Sequence, residues 1–162
     1  MRTAFKRNIL PLLAGAMLSA SAITVPARAA DSTDEATLVV RVENVVPQGI
    51  VRVGLYSEKL YPDDNATPAA SADVQAGAGE TVVTFQNIPA GTYAIEVYQD
   101  LNSNGKMDTG FLGIPKEPYG FSRDARPRLS KPDFSRVKFE VTAGENIQTL
   151  HLQNTTATAP AS

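Results

Sequence analysis

The nine residues from Asp100 to Asp108, DLNSNGKMD, set an oxygen-bearing side chain at alternate positions, follow with a glycine, and close on a second carboxylate. Asp100, Asn102 and Asn104 take the first, third and fifth places of an oxygen-ligand loop. Gly105 takes the sixth, the Lys106 carbonyl the seventh and Asp108 the ninth. The alternation matters because successive side chains of a tightly curved segment point to opposite sides, while glycine admits the sharp turn that brings the later donors round. The chemistry this set would do is coordination of a hard divalent cation. Calcium suits it best, since magnesium keeps its waters and zinc prefers nitrogen and sulfur. The twelfth place, where a helical calcium hand supplies a bidentate glutamate, is Phe111, and no helical pattern flanks the loop, so this is not an EF-hand. Two carboxylates and two amides give incomplete coordination. Glu117 is the expected further ligand, with Asp124 behind it, and a weak affinity on the order of 10⁻⁴ to 10⁻³ M follows. The competing reading is a plain hairpin turn, because Asn104-Gly105 suits type I′ and Asp and Asn readily bond their own backbone.

Downstream, GFLGIPKEPYGFSRDARPRLSKPDF mixes glycine, proline and the aromatics Phe111, Tyr119, Phe121 and Phe134. Tyr119 and Phe121 are candidate ligand-binding residues, because aromatic faces beside an ordered loop bind sugars or apolar peptides. The alternative is that these rings fold back to cap one end of the fold. Arg123 and Arg126, with Arg128 and Lys131, form a basic cluster that would grip a phosphate or an anionic envelope polymer, or else form a solvated loop face. His151, the single histidine, sits between Leu150 and Leu152 and is expected to face solvent. No nucleophile motif accompanies it, so no catalytic residue is assigned.

The elements that must position these groups alternate with period two. Leu38, Val40 and Val42 oppose Arg41 and Glu43, while Val51, Val53 and Leu55 oppose Arg52 and Tyr56. Val83 and Phe85, then Tyr93, Ile95 and Val97, then Val137, Phe139 and Val141 repeat the pattern. In NIQTLHLQ, Ile147 and Leu150 have opposite parity, which suggests a bulge or a late start. SADVQ adds a seventh, edge strand. Turn signals at VPQG, NIPAG and TAGEN each suit a hairpin. Together these predict an all-β fold, an antiparallel β-sandwich of about seven strands in one domain over residues 36–153.

The first twenty-nine residues read as a cleavable export signal: Arg2, Lys6 and Arg7, then the apolar ILPLLAGAMLSASAITV, then small residues with cleavage after Ala29. Residues 30–35 are an expected disordered start and 154–162 an expected disordered tail. Loss of the signal removes four basic residues and leaves 11 basic against 17 acidic ones, which argues against nucleic acid as a partner. The expectation is a periplasmic or secreted protein with no transmembrane span after cleavage and an unknown envelope or extracellular ligand. The chain has no cysteine, which excludes thiolate metal sites and cysteine nucleophiles, and leaves packing, with a bound ion beside it, as the source of stability.

The run Ile88 to Ser122 resembles the signature of the bacterial domain of unknown function 2141. The residues that carry the likeness are Pro89, Gly91 and Tyr93; Asp100, Asn102, Asn104, Gly105 and Asp108; Gly113, Pro115 and Glu117; and Tyr119 to Ser122. Arg123 departs from the pattern, which tends to an amide there. The resemblance implies an exported Ig-like or prealbumin-like sandwich and brings no established activity. A small prealbumin-like hydrolase with a cleft near residues 113–131, and an inert module without metal, stay open beside the calcium reading.

Overall fold

A computed structural model describes residues 35–128 and 130–154. The expected export signal, residues 30–34 and residues 155–162 of the expected tail lie outside the described residues. The elements are β1 (Glu35–Val45), β2 (Ile50–Ser57), β3 (Ala70–Gln75), β4 (Gly79–Pro89), β5 (Gly91–Asp100), β6 (Tyr119–Phe121), a single helical turn α1 (Phe134–Val137), β7 (Phe139–Val141) and β8 (Gly144–His151). They form an all-β sandwich. One sheet has the order β4-β1-β8 and the other β3-β2-β5-β6, with β7 pairing the same edge of β5 as β6.

The predicted alternation holds where a strand has one face on the core. Leu38, Val40 and Val42 of β1 meet Val83 and Phe85 of β4, with Val51, Val53 and Leu55 of β2 and Ile95 and Val97 of β5 across the interior. Burying each such aliphatic side chain contributes about 1.5–3 kcal/mol. Ile147 needs no bulge, because β8 runs in unbroken parallel register with β1 and Ile147 stays on the outer face.

Four features differ from the sequence expectation. None of the three expected hairpins forms: residues 46–49 pass from β1 to β2, Ala90 from β4 to β5, and 142–143 from β7 to β8, and each time the chain crosses to the other sheet. Glycine and proline mark a reversal, but they do not decide whether the next strand pairs alongside or packs across the core. The β1–β8 pair is parallel within an otherwise antiparallel arrangement. Val137 ends a helical turn instead of opening a strand. There are eight strands among the described residues, the addition being the three-residue β6.

The outer face of β5 is also covered. Ala94 is fully buried with Tyr61, Ala125 and Val137, and Tyr56, Phe121 and Phe134 pack against this second cluster. Ser122 hooks the covering segment down: its hydroxyl accepts the Ile95 N–H at 2.9 Å and donates to the Val137 carbonyl at 2.6 Å. Ser122→Ala strands both buried backbone groups and is expected to lower the unfolding free energy by about 2–3 kcal/mol, read as a lower urea midpoint at unchanged m-value.

Candidate functional site

The Asp/Asn loop begins where β5 ends. Asp100 is fully buried, and its carboxylate is caught from three sides. Oδ1 accepts the Asn104 N–H at 3.0 Å, while Oδ2 accepts the Gly105 N–H at 2.8 Å and Arg52 Nε at 2.9 Å. Arg52 arrives because it pairs with Tyr98 in the β2–β5 register, so Asp100, two residues on, lies diagonally on the same face. Its other side meets Asp73, its directly paired residue on β3. Burial alone would push the Asp100 carboxyl up, but the Gly105 N–H, Arg52 and Asn104 N–H together outweigh that and hold it below the usual carboxylate range.

The rest of the loop interlocks through the expected ligands. Asn102 Oδ1 accepts the same Asn104 N–H at 3.1 Å, so one nitrogen draws oxygens of Asp100 and Asn102 to a common point. Asn104 Oδ1 accepts the Lys106 N–H at 3.0 Å. Asn102 and Asn104 both donate to Asp108, at 2.6 and 3.0 Å. Positive φ falls at Ser103 and Gly105 and not at Asn104, so the Asn-Gly pair does not form the type I′ turn. The loop's donors curl inward onto its own side-chain oxygens.

Glu117 is buried and holds the loop through its backbone. Its Oε1 accepts the Leu101 N–H at 2.8 Å and its Oε2 the Asp108 N–H at 3.0 Å, so one carboxylate clips both ends of the loop together. Asp124 lies elsewhere, bonded to His151. The cation donors present are therefore two carboxylates, two amides and the Lys106 carbonyl, a hard-oxygen set, with Arg52 already sharing the Asp100 carboxylate. Among the described residues no three carboxylate or imidazole side chains gather closely enough to hold a metal ion without amide or carbonyl help.

Three residues that position the loop escaped the sequence reading. Arg52 looked like an outward-facing strand charge. Gln99 is fully buried and acts as a surrogate strand: its amide donates to the Val46 and Gln48 carbonyls at 2.6 and 2.7 Å and accepts the Val46 N–H at 3.2 Å. Gly49 has φ 72°, and a Cβ added there would run into the Asp100 carbonyl. Gln99 continues the inward parity of Tyr93, Ile95 and Val97, the one signal that would have marked it.

The other candidates separate. Phe121 and Phe134 pack against the second cluster and Tyr119 meets Phe121 edge-on at 6.0 Å, while Phe111, also expected to cap, stays exposed. Arg123 and Arg126 are exposed and join Arg136 around an open depression of about 510 Å³. Lys131 is not part of that group: it lies 2.6 Å from Asp64, 3.1 Å from Glu96 and over the Tyr61 ring.

The single histidine lines a cleft of about 480 Å³ with Asp124, Arg126 and their neighbours. His151 is held at both nitrogens, by Asp124 at 2.9 Å and Glu43 at 3.1 Å, and the lining offers no hydroxyl, thiol or amine nucleophile. The Asp124 hydrogen bond, with help from Glu43, raises the His151 pKa above its usual value despite slight burial. A neutral imidazole has one N–H and so leaves one carboxylate facing a bare nitrogen. The ion pairs thus stabilise the fold fully below the unfolded histidine value near 6.5, and that contribution is lost as pH rises through the folded value. His151→Gln should flatten the stability profile from pH 6 to 8 while leaving the acid limb, where Asp100 protonates, unchanged. Parallel wild-type and variant profiles across that range would refute this.

Fold and loop together define a class: an all-β sandwich that carries an Asp/Asn oxygen loop at the end of a central strand. The chain belongs to the family described as "Uncharacterized protein conserved in bacteria (DUF2141)", whose model matches residues 40–149. That span runs from β1 into β8 and contains the whole loop and its Glu117 clip. No curated protein and no solved structure matches the sequence.

Proposed function

We propose that this chain is an exported, non-catalytic sandwich module whose Asp100–Asp108 loop binds calcium and is stiffened by it. The observation that carries the reading is the interlocking of Asp100, Asn102, Asn104 and Asp108 through short bonds inside nine residues. The ordering entropy of the loop is met before any ion arrives, so binding need not fold it. Asp100, Asn102, Asn104, Asp108 and the Lys106 carbonyl would hold the ion, and water would complete its shell. Glu117 fixes the backbone that carries the first and ninth ligands. Arg52 supplies a competing positive charge at Asp100 and keeps affinity low.

Export rests on the basic, apolar and small-residue order of residues 1–29, and N-terminal sequencing of protein recovered from the cell envelope fraction should begin at Ala30. Thermal melts test the metal. At a calcium concentration ten times Kd the native state gains about 1.4 kcal/mol, so the melting temperature should rise in 10 mM calcium relative to EDTA. Equal melting temperatures would refute the calcium reading and leave the sandwich assignment intact.

A further inference from the structure

Beyond the oxygen loop the chain rises into a small apolar tip. Phe111 is 86% exposed, Leu112 82% and Ile114 57%. Among the described residues the other large exposed hydrophobics, Val46, Val82 and Ile147, are scattered singly. Three in four consecutive positions is a different thing, because contiguous exposed apolar surface marks an interaction site. Leu112 adopts φ 60°, a conformation that costs a branched side chain energy, and it gains no packing in return. A Cβ at the following Gly113, φ 73°, would touch nothing.

The backbone beneath the tip is closed on itself. Thr109 bridges Pro115, Gly110 N–H meets the Ile114 carbonyl at 2.7 Å, Gly113 N–H the Gly110 carbonyl at 3.2 Å, and Lys116 N–H the Asp108 carbonyl at 2.8 Å. Internally paired backbone is what allows a segment to enter an apolar medium, where an unpaired polar group is costly. The flanks are basic. Lys106 and Lys116 are exposed at the two ends, Lys116 lying along Gly110, while the one acid between them, Asp108, is occupied by two amide donors. A cationic collar under an apolar tip on an acidic chain complements one surface in particular, an anionic phospholipid bilayer. A protein partner suits it less, since three side chains on a convex tip fall short of the roughly 1,000 Å² that a specific protein interface clears.

We propose that the Phe111–Ile114 tip inserts into the headgroup region of anionic phospholipid bilayers, with Lys106 and Lys116 meeting the phosphates. The proposal is independent of the calcium reading.

The chain has no tryptophan, so Phe111→Trp places a single reporter on the tip of the full-length protein and distinguishes it from any lipid contact made elsewhere. With vesicles of equal parts phosphatidylglycerol and phosphatidylcholine, in EDTA, the emission should shift to the blue and be quenched by brominated acyl chains. With pure phosphatidylcholine both responses should shrink by about tenfold, and 0.5 M salt should weaken them, because exposed charges are screened over a few ångström there. Adding Leu112→Asp should abolish the shift, and adding Lys116→Glu should weaken it, with the melting temperature unchanged in both. No blue shift with anionic vesicles overturns the proposal. So does a shift that appears without lipid and grows with protein concentration, which would assign the tip to a second copy of the chain.

Discussion

Replacing Glu117 by alanine is expected to lower the unfolding free energy by about 3–5 kcal/mol and to release the Asp100–Asp108 loop. Each oxygen of this buried carboxylate accepts one backbone N–H, from Leu101 and from Asp108. Hydrogen bonds to a charged acceptor contribute about 1.5–3 kcal/mol apiece, and truncation leaves both donors without a partner. Glu117→Gln makes a graded test. Its amide keeps one acceptor and turns a donor toward the second N–H, so its loss should fall between wild type and Glu117→Ala. Hydrogen exchange at the Leu101 and Asp108 amides reads the effect locally: protection should collapse in the alanine variant while the β1 and β4 ladder stays protected. Uniform loss across all strands would mean that Glu117 supports the whole sandwich and not the loop.

Among the described glycines, Gly49→Ala should be the most damaging added methyl. The residue sits at φ 72°, which for alanine costs about 1–2 kcal/mol. A Cβ there would also overlap the Asp100 carbonyl oxygen and stand 2.8 Å from Leu101 Cα, and neither backbone atom is the free end of a side chain that can swing away. Relief requires the end of β5 to move off the β1–β2 crossing, which also breaks the Gln48 contact to the Leu101 carbonyl at 3.1 Å. A total loss of about 2–5 kcal/mol is expected, the conformational cost added to the roughly 1–3 kcal/mol of an overfilled core. Gly144→Ala is the matched control, with φ 92° and nothing within 4 Å of its added Cβ, so it should show the conformational cost alone. Equal losses at the two positions would remove the argument that Gly49 is there for close approach.

The strands of the two central pairs were legible because each buries one face, and the period-two pattern of β1, β2 and β4 records that directly. β5 misled in part: Ala94 and Glu96 read as an outer, wet face, yet residues 122–128 and 130–137 fold over it. That cover rests on Ser122, one hydroxyl whose partners lie 27 and 15 residues away, and composition does not encode such a hook. Strand β6 has three residues and no period to detect. The oxygen loop stood out because its side chains are consecutive and their own backbone lies within reach. Arg52 did not, because its link to Asp100 spans 48 residues and depends on strand register, which the crossings at 46–49 and Ala90 set in a way that turn residues alone do not specify. The basic cluster read from Arg123 to Lys131 divides in space: Lys131 turns to Glu96 and Asp64, while Arg136, from beyond the run, takes its place beside Arg126.

Calorimetric titration of calcium into the wild-type chain and into Asp108→Ala tests the central claim most directly. Asp108 is the carboxylate to remove, because Asp100 also anchors Arg52 and its loss would confuse binding with folding. The account predicts a single site with Kd on the order of 10⁻⁴ to 10⁻³ M in the wild type, and at least about tenfold weaker binding in a variant that still folds. No heat of binding in the wild type up to 10 mM calcium, or an unchanged isotherm in Asp108→Ala, would contradict it.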